Sequence, residues 1–145
     1  MPKIELKMPN EFLMRVARLG DKTDEIIPKV LEAGGKVALA RVRGNLSSVI
    51  GRGTKIKGQS TGELRRALGL SPAKPKRDGS GWDIKVGFSE PRRGKGKSNA
   101  KVANILEHGK HNQPARPFMK PAKTQSKGAA IEAMKEALER EVRNL

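Results

Sequence analysis

Residues 23–50 constrain this chain more than any other stretch. Ile26, Ile27, Val30, Leu31, Val37, Ala38, Val42, Leu46, Val49 and Ile50 recur at spacings of three and four, the signature of one long amphipathic helix of about seven turns. Thr23 or Asp24 can cap its start. A single apolar stripe of that length must lie along another layer, so the rest of the chain has to supply one. Gly34-Gly35 interrupts the stripe at ~1 kcal/mol per Gly relative to Ala. The pair implies either a bend or another backbone packed close against it. No strand precedes it, which argues against a phosphate-binding loop.

The covering layer is legible in shorter patterns. Lys3 to Met8 alternates polar and apolar residues, a half-buried strand. Pro9-Asn10 stops it, and Asn10 can cap a short helix through Leu19, closed by Gly20. Ser60-Thr61-Gly62-Glu63 has the form of a capping box and predicts a helical turn from Thr61 to Ala67. Leu68 to Arg77 reads as a strand weakened by Pro72 and Pro75, hence an edge or irregular one. Asp78-Gly79-Ser80-Gly81 is a tight turn into the strictly alternating run Trp82 to Phe88. Trp82, Ile84, Val86 and Phe88 are expected on its buried face. A helix from Asn99 to His108 is predicted to carry Val102, Ile105 and Leu106 inward and to end at Gly109. After the proline-rich Gln113 to Pro121, a last helix presents Ile131, Met134, Leu138, Val142 and Leu145, with Glu136–Arg140 and Glu139–Arg143 as supporting pairs. Few strands among several helices define an α+β domain: a small antiparallel sheet with a long N-terminal helix and a C-terminal helix packed on it. At 145 residues this is one domain, 1–145. With 35% apolar and 3% aromatic residues, its core must be aliphatic.

Charge is distributed unevenly. Residues 1–40 carry 7 basic and 6 acidic groups and residues 128–145 carry 3 and 4, whereas residues 41–127 carry 21 and 5, the whole of the net +16. A field of that sign attracts polyanions. Two exposed basic loops are expected, near 51–59 with Arg52, Lys55 and Lys57, and near 89–98 with Arg92, Arg93, Lys95 and Lys97. These seven residues are the candidates for contact with DNA or with an acidic neighbouring subunit. The four aromatics, Phe12, Trp82, Phe88 and Phe118, all fall in apolar patterns and offer no stacking platform for bases. DNA contact is therefore expected through the phosphate backbone alone.

Catalytic chemistry has little to work with. The only histidines are His108 and His111, there is no cysteine, and Glu107 could be a third metal ligand at best. Adjacent helical residues point to different sides, which spoils that geometry. The acids of the basic region, Glu63, Asp78, Asp83, Glu90 and Glu107, are dispersed. No cofactor or metal is expected, and no enzyme activity. The absence of cysteine excludes disulfides and suits assembly in a reducing cytoplasm. No apolar run reaches a signal-peptide core or a membrane span.

Three stretches carry a resemblance: Thr61-Gly62-Glu63-Leu64-Arg65-Arg66-Ala67-Leu68, Val102-Ala103-Asn104-Ile105-Leu106-Glu107-His108-Gly109 and Ala115-Arg116-Pro117-Phe118-Met119-Lys120-Pro121-Ala122. In this order the chain resembles the tail-completion (head–tail joining, minor tail component) family of siphophages. That family shows a long N-terminal helix ending in a TG-x-L-R turn, a hairpin, an E-aromatic-G helix end, an R/P-P-F-L/M-x-P-A element and a closing helix. His108 stands where the family more often has an aromatic residue, and Lys110 where it has Thr. The resemblance implies a structural virion protein at the neck, a homo-oligomeric ring around the DNA channel. Its neighbours would be a connector or stopper ring and a tail terminator or tube, and six copies would match a six-fold tail. It gives structural roles to Thr61, Gly62, Leu64, Arg65, Glu107, Gly109, Arg116, Pro117, Phe118 and Pro121. A sequence-independent nucleic-acid-binding protein is the alternative that charge alone supports.

Overall fold

The computed structural model describes residues 3–7, 9–18, 20–49, 63–77, 81–89, 98–111 and 114–144. Its elements run β1 (Ile4–Lys7), α1 (Asn10–Ala17), a 3-10 turn (Gly20–Lys22), α2 (Thr23–Val49), α3 (Glu63–Ala67), β2 (Leu68–Leu70), β3 (Lys74–Pro75), β4 (Trp82–Phe88), α4 (Asn99–His108) and α5 (Met119–Arg143). This is the α+β architecture expected from the patterns: a small antiparallel sheet with the two long helices against it.

Strand β4 is the centre of the sheet. On one side β1 pairs with it, Ile4 opposite Val86 and Lys7 opposite Asp83. On the other side lie β2, with Leu70 opposite Val86, and β3, with Lys74 opposite Asp83. Between Leu70 and Lys74 the edge gains one residue relative to β4, a bulge. Its chemistry explains the interruption. Ser71 N–H donates to the Lys85 carbonyl at 2.8 Å, while Lys85 N–H donates to the Ser71 hydroxyl at 2.9 Å. A side chain thus takes the acceptor role that a backbone carbonyl fills elsewhere in the ladder, and Pro72, with no N–H to give, follows it. The single weakened strand expected over Leu68–Arg77 is two short pieces hinged on this serine. Ile84 and Val86 are buried on the inner face of β4, but Trp82 and Phe88, at its two ends, are only half-buried.

Helix α2 is unbroken through Gly34-Gly35. Its buried positions step by four from Ile26 to Leu46, so one ridge follows the helix along its length. The two glycines are filled by side chains rather than by another backbone. A Cβ on Gly34 would lie 2.7 Å from Met134 Cγ, and one on Gly35 2.7 Å from Leu70 Cδ1. Their propensity cost is thus offset by letting α5 and the sheet approach. Helix α5 runs antiparallel to α2: Lys29 pairs with Glu141 at 3.4 Å near one end, and Arg41 Nε donates to Gln125 Oε1 at 2.8 Å toward the other.

The core has two lobes. Phe12, Ile26, Ile27, Val30, Leu31, Ile84, Met134 and Leu138 form one. Val42, Leu46, Leu64, Leu68, Val86, Ala103, Phe118, Met119 and Ala122 form the other. Two expectations about helix faces need correction. In α4 the buried residues are Asn99, Ala100, Ala103 and Glu107, with Val102, Ile105 and Leu106 only partly covered. In α5, Met134 and Leu138 are buried and Ile131 partly so, but Val142 is exposed and Leu145 lies outside the described residues. Arg143 Nε donates to the Glu139 backbone carbonyl at 3.4 Å rather than to its carboxylate. Among the described residues, no helix is long and apolar enough to cross a membrane.

Candidate functional site

The motif residues converge on the junction between α4 and α5. Ser98 opens α4 by accepting the Lys101 N–H on its hydroxyl at 3.3 Å. Gly109 closes it at φ 77°, ψ −179°, a backbone region that essentially only glycine occupies, and its N–H returns to the Ile105 carbonyl at 2.7 Å. The chain then doubles back, and Arg116 N–H bonds to the Leu106 carbonyl at 2.7 Å. That delivers Phe118 into the core and starts α5 at Met119. The last helix therefore begins inside the proline-rich stretch, earlier than its composition suggests.

Glu107 holds this start. Its carboxylate accepts Phe118 N–H at 3.1 Å, Met119 N–H at 2.7 Å and Lys120 N–H at 3.1 Å. A helix leaves its first four N–H groups without intrahelical partners. Here three go to one carboxylate, and the fourth position is Pro121, which has none. The negative charge also sits at the positive end of the α5 dipole, where the first turn has no acidic residue of its own. Asn45 Nδ2 ties the same point to α2, donating to the Phe118 carbonyl at 3.1 Å. The Phe118 ring is fully buried and meets Phe88 edge-on, with centroids 6.0 Å apart at 73°. Of the remaining motif residues, Leu64 joins the same lobe of the core, Arg116 and Pro121 are half-buried, and Arg65 and Pro117 are exposed. Thr61 and Gly62 lie outside the described residues, as do all seven loop candidates, Arg52, Lys55, Lys57, Arg92, Arg93, Lys95 and Lys97.

The antiparallel packing gathers charge that is scattered in sequence. Arg41 and Arg43 of α2, Arg65 and Arg66 of α3, Lys101 of α4, Lys110, and Lys120, Lys123 and Lys127 of α5 are all exposed. All but Lys110, which follows α4, belong to elements that contribute to the lobe containing Phe118. Helices α3 and α4 and the adjoining halves of α2 (37–49) and α5 (119–131) hold only Glu63 and the buried Glu107 as acids, while Asp24, Glu25, Glu32, Glu132, Glu136, Glu139 and Glu141 lie in the far halves of α2 and α5. The residues flanking the basic segments 50–62 and 90–97 are anchored there too: Val49 packs on that lobe, Ser89 N–H bonds to the Ala67 carbonyl at 2.8 Å, and Asn99 Nδ2 bonds to the Ser89 carbonyl at 2.7 Å. One pole of the subunit is cationic.

On the outer face of the sheet, Glu5 and Asp83 share a hydrogen bond. The half-buried site of Asp83 disfavours its charge, and the hydrogen bond and negative charge of Glu5 add to this, so its pKa is raised. The same hydrogen bond lowers that of Glu5, and Lys76 Nζ at 3.5 Å favours the Glu5 charge as well. Asp83 therefore contributes stability that is present while it is protonated and lost as pH rises through its raised folded pKa. Glu5 contributes stability that is lost only as pH falls through its depressed one. Asp83→Asn, which can donate to Glu5 at any pH, is expected to gain melting temperature relative to wild type as pH rises through that window. A difference that stays constant from about pH 4 to 8 would show that the pair does not titrate in this way.

Among the described residues, no group of three His, Asp or Glu side chains is placed to hold a metal ion. The described features are a capped helix junction and a concentration of surface charge. Residues 10–109 match the model of the HK97-gp10-like family, described as "Bacteriophage HK97-gp10, putative tail-component". The match covers more than half of the chain, and the chain belongs to this family of phage tail components. It includes the Thr61–Leu68 and Val102–Gly109 motifs and ends before Arg116–Ala122. No curated protein and no solved structure matches the chain.

Proposed function

We propose that this tail component works at the phage neck, joining or completing the tail at the head–tail interface as a closed ring of copies around the DNA channel. The observation that carries this reading is the cationic pole, where the exposed Lys and Arg of α2, α3, α4 and α5 surround the anchors of both basic loops. A ring that presents such poles inward would meet DNA through phosphates without reading sequence. One that presents them axially would meet an acidic neighbouring ring. A heterologous contact that closes generates the ring, and six copies follow by analogy with a six-fold tail. The subunit acts by assembly, without cofactor or catalysis, and reaches the virion from the host cytoplasm.

Light scattering on the purified protein and on tails that carry it tests the ring. Replacing Arg92, Arg93, Lys95 and Lys97 together by Ser tests the charge. The variant is expected to fold normally and to give fewer joined heads and tails, or necks that leak DNA. A DNA role predicts the defect in filled particles only, and a neighbour-ring role predicts it in DNA-free tails as well. Normal yields of infectious particles would remove the loop from the mechanism. Tight, salt-sensitive DNA binding by a lone monomer would favour a general nucleic-acid-binding protein instead.

A further inference from the structure

The two edges of the sheet are not equivalent. The β2–β3 edge is blunted by the Ser71 bulge and by Pro72 and Pro75, devices that prevent another strand from adding. Among the described residues, strand β1 pairs only with β4 and no strand lies on its other edge. Alongside β1, facing α5, runs a groove of about 240 Å³ with Ile4, Leu6, Ala130 and Met134 among its lining residues. Lys7 borders it from the strand, and Lys123 and Lys127 from the helix.

We infer that this groove receives an extended segment of another virion protein, alternating apolar and acidic residues, that adds to the sheet as a strand beside β1. An open strand edge offers main-chain hydrogen bonds, and the adjacent apolar floor takes every second side chain. The lysines set the sign of the other side chains. Lys7 alone could be a device that keeps strands away, but Lys123 and Lys127 are on the helix and cannot be explained so. With Lys120 they form a like-charged face at spacings of three and four, which disfavours a helix, and they occupy the end where the dipole is already positive. A bound acidic segment relieves both costs. Glu5, the one acid at the groove, is engaged by Lys76 and Asp83.

The charges disfavour other occupants. The chain's own segments 50–62 and 90–97 carry Arg52, Lys55, Lys57, Arg92, Arg93, Lys95 and Lys97 against Glu90, the same sign as the groove. Residues 3–7 of a second copy carry Lys3 and Lys7 against Glu5, a net positive charge, and would bring it to a groove already bordered by Lys7, Lys123 and Lys127. A DNA duplex is too wide for the groove and has no strand edge to offer.

The inference rests on membership of the tail-component family and not on the ring or its place at the neck, so the isolated subunit suffices for the test. Amide hydrogen exchange is followed with a short blocked peptide alternating valine with glutamate, with its valine–lysine counterpart, and with a short DNA duplex. The glutamate peptide is expected to protect amides of Ile4–Lys7, and K123E/K127E is expected to weaken it on the order of tenfold. The other two probes are expected to leave these amides unchanged. If the double variant loses helicity, the comparison of the two peptides decides alone. No protection of β1 by the glutamate peptide, equal protection by the lysine peptide, or the same response to DNA would overturn the inference.

Discussion

Glu107→Ala is expected to lower the stability of the subunit by about 3 kcal/mol, read from urea or thermal unfolding. The change removes the acceptor for three N–H groups at once, two of them in fully buried bonds. An unsatisfied buried donor costs about 1–3 kcal/mol, and the α5 dipole loses its counter-charge, worth about 0.3–1 kcal/mol in ordinary settings. Relief from holding a carboxylate at 6% exposure offsets part of this. Glu107→Gln separates the contributions. Its remaining oxygen can keep the Phe118 and Met119 bonds, while its NH2 group faces the Lys120 N–H donor to donor, so about 1–2 kcal/mol is expected. If both variants melt like wild type, the start of α5 is held by packing alone and the carboxylate is not its cap.

This junction also shows what a sequence of this kind reveals and what it hides. The long α2 helix, the β4 strand and the α+β class follow from local periodicity, because one apolar stripe and one alternating run allow few arrangements, whereas residues 78–80 of the expected turn lie outside the described residues. The direction of α4 does not. Val102, Ile105 and Leu106 point to a buried face, yet the helix turns Ala103 and Glu107 inward, since Glu107 must reach the N–H groups of a helix that begins eleven or twelve residues later. A long-range capping demand overrides a weak local pattern. The start of α5 is hidden in the sequence for a related reason. Pro117 and Pro121 read as a loop, although a proline at the third helical position gives up only an N–H that has no intrahelical partner. A signal was present: α5 has neither a side-chain cap at Phe118 nor an acid in its first turn, so its positive end required a carboxylate from elsewhere. The charge of residues 41–127 was plain, but its gathering at one pole depends on the antiparallel course of α2 and α5, and no local pattern specifies that. In sequence the Lys120–Lys123–Lys127 face looks like an ordinary solvated surface, and only the helix dipole and the groove beside it give it meaning.

Phe118→Ala is expected to cost about 3–5 kcal/mol, the range for removing a buried aromatic ring. The ring is the largest of the fully buried side chains. It fills the lobe formed by Val42, Leu46, Val86 and Ala122 and meets Phe88 edge-on. A cavity there cannot close easily. The Phe118 backbone is pinned by Glu107 on its N–H and by Asn45 on its carbonyl, so the chain cannot slide inward to refill it. For a domain whose whole stability is about 5–15 kcal/mol, the loss is a large share, and a fall of roughly 10 °C or more in melting temperature is the readout. Phe118→Leu keeps most of the volume and should recover most of the stability, which distinguishes a packing role from one that needs the aromatic ring itself. A melting temperature unchanged in Phe118→Ala, together with failed incorporation into tails, would mean that the ring serves a partner surface. Helix α5 would then be anchored by Glu107 and its own core-facing residues, Met119, Ala122, Met134 and Leu138.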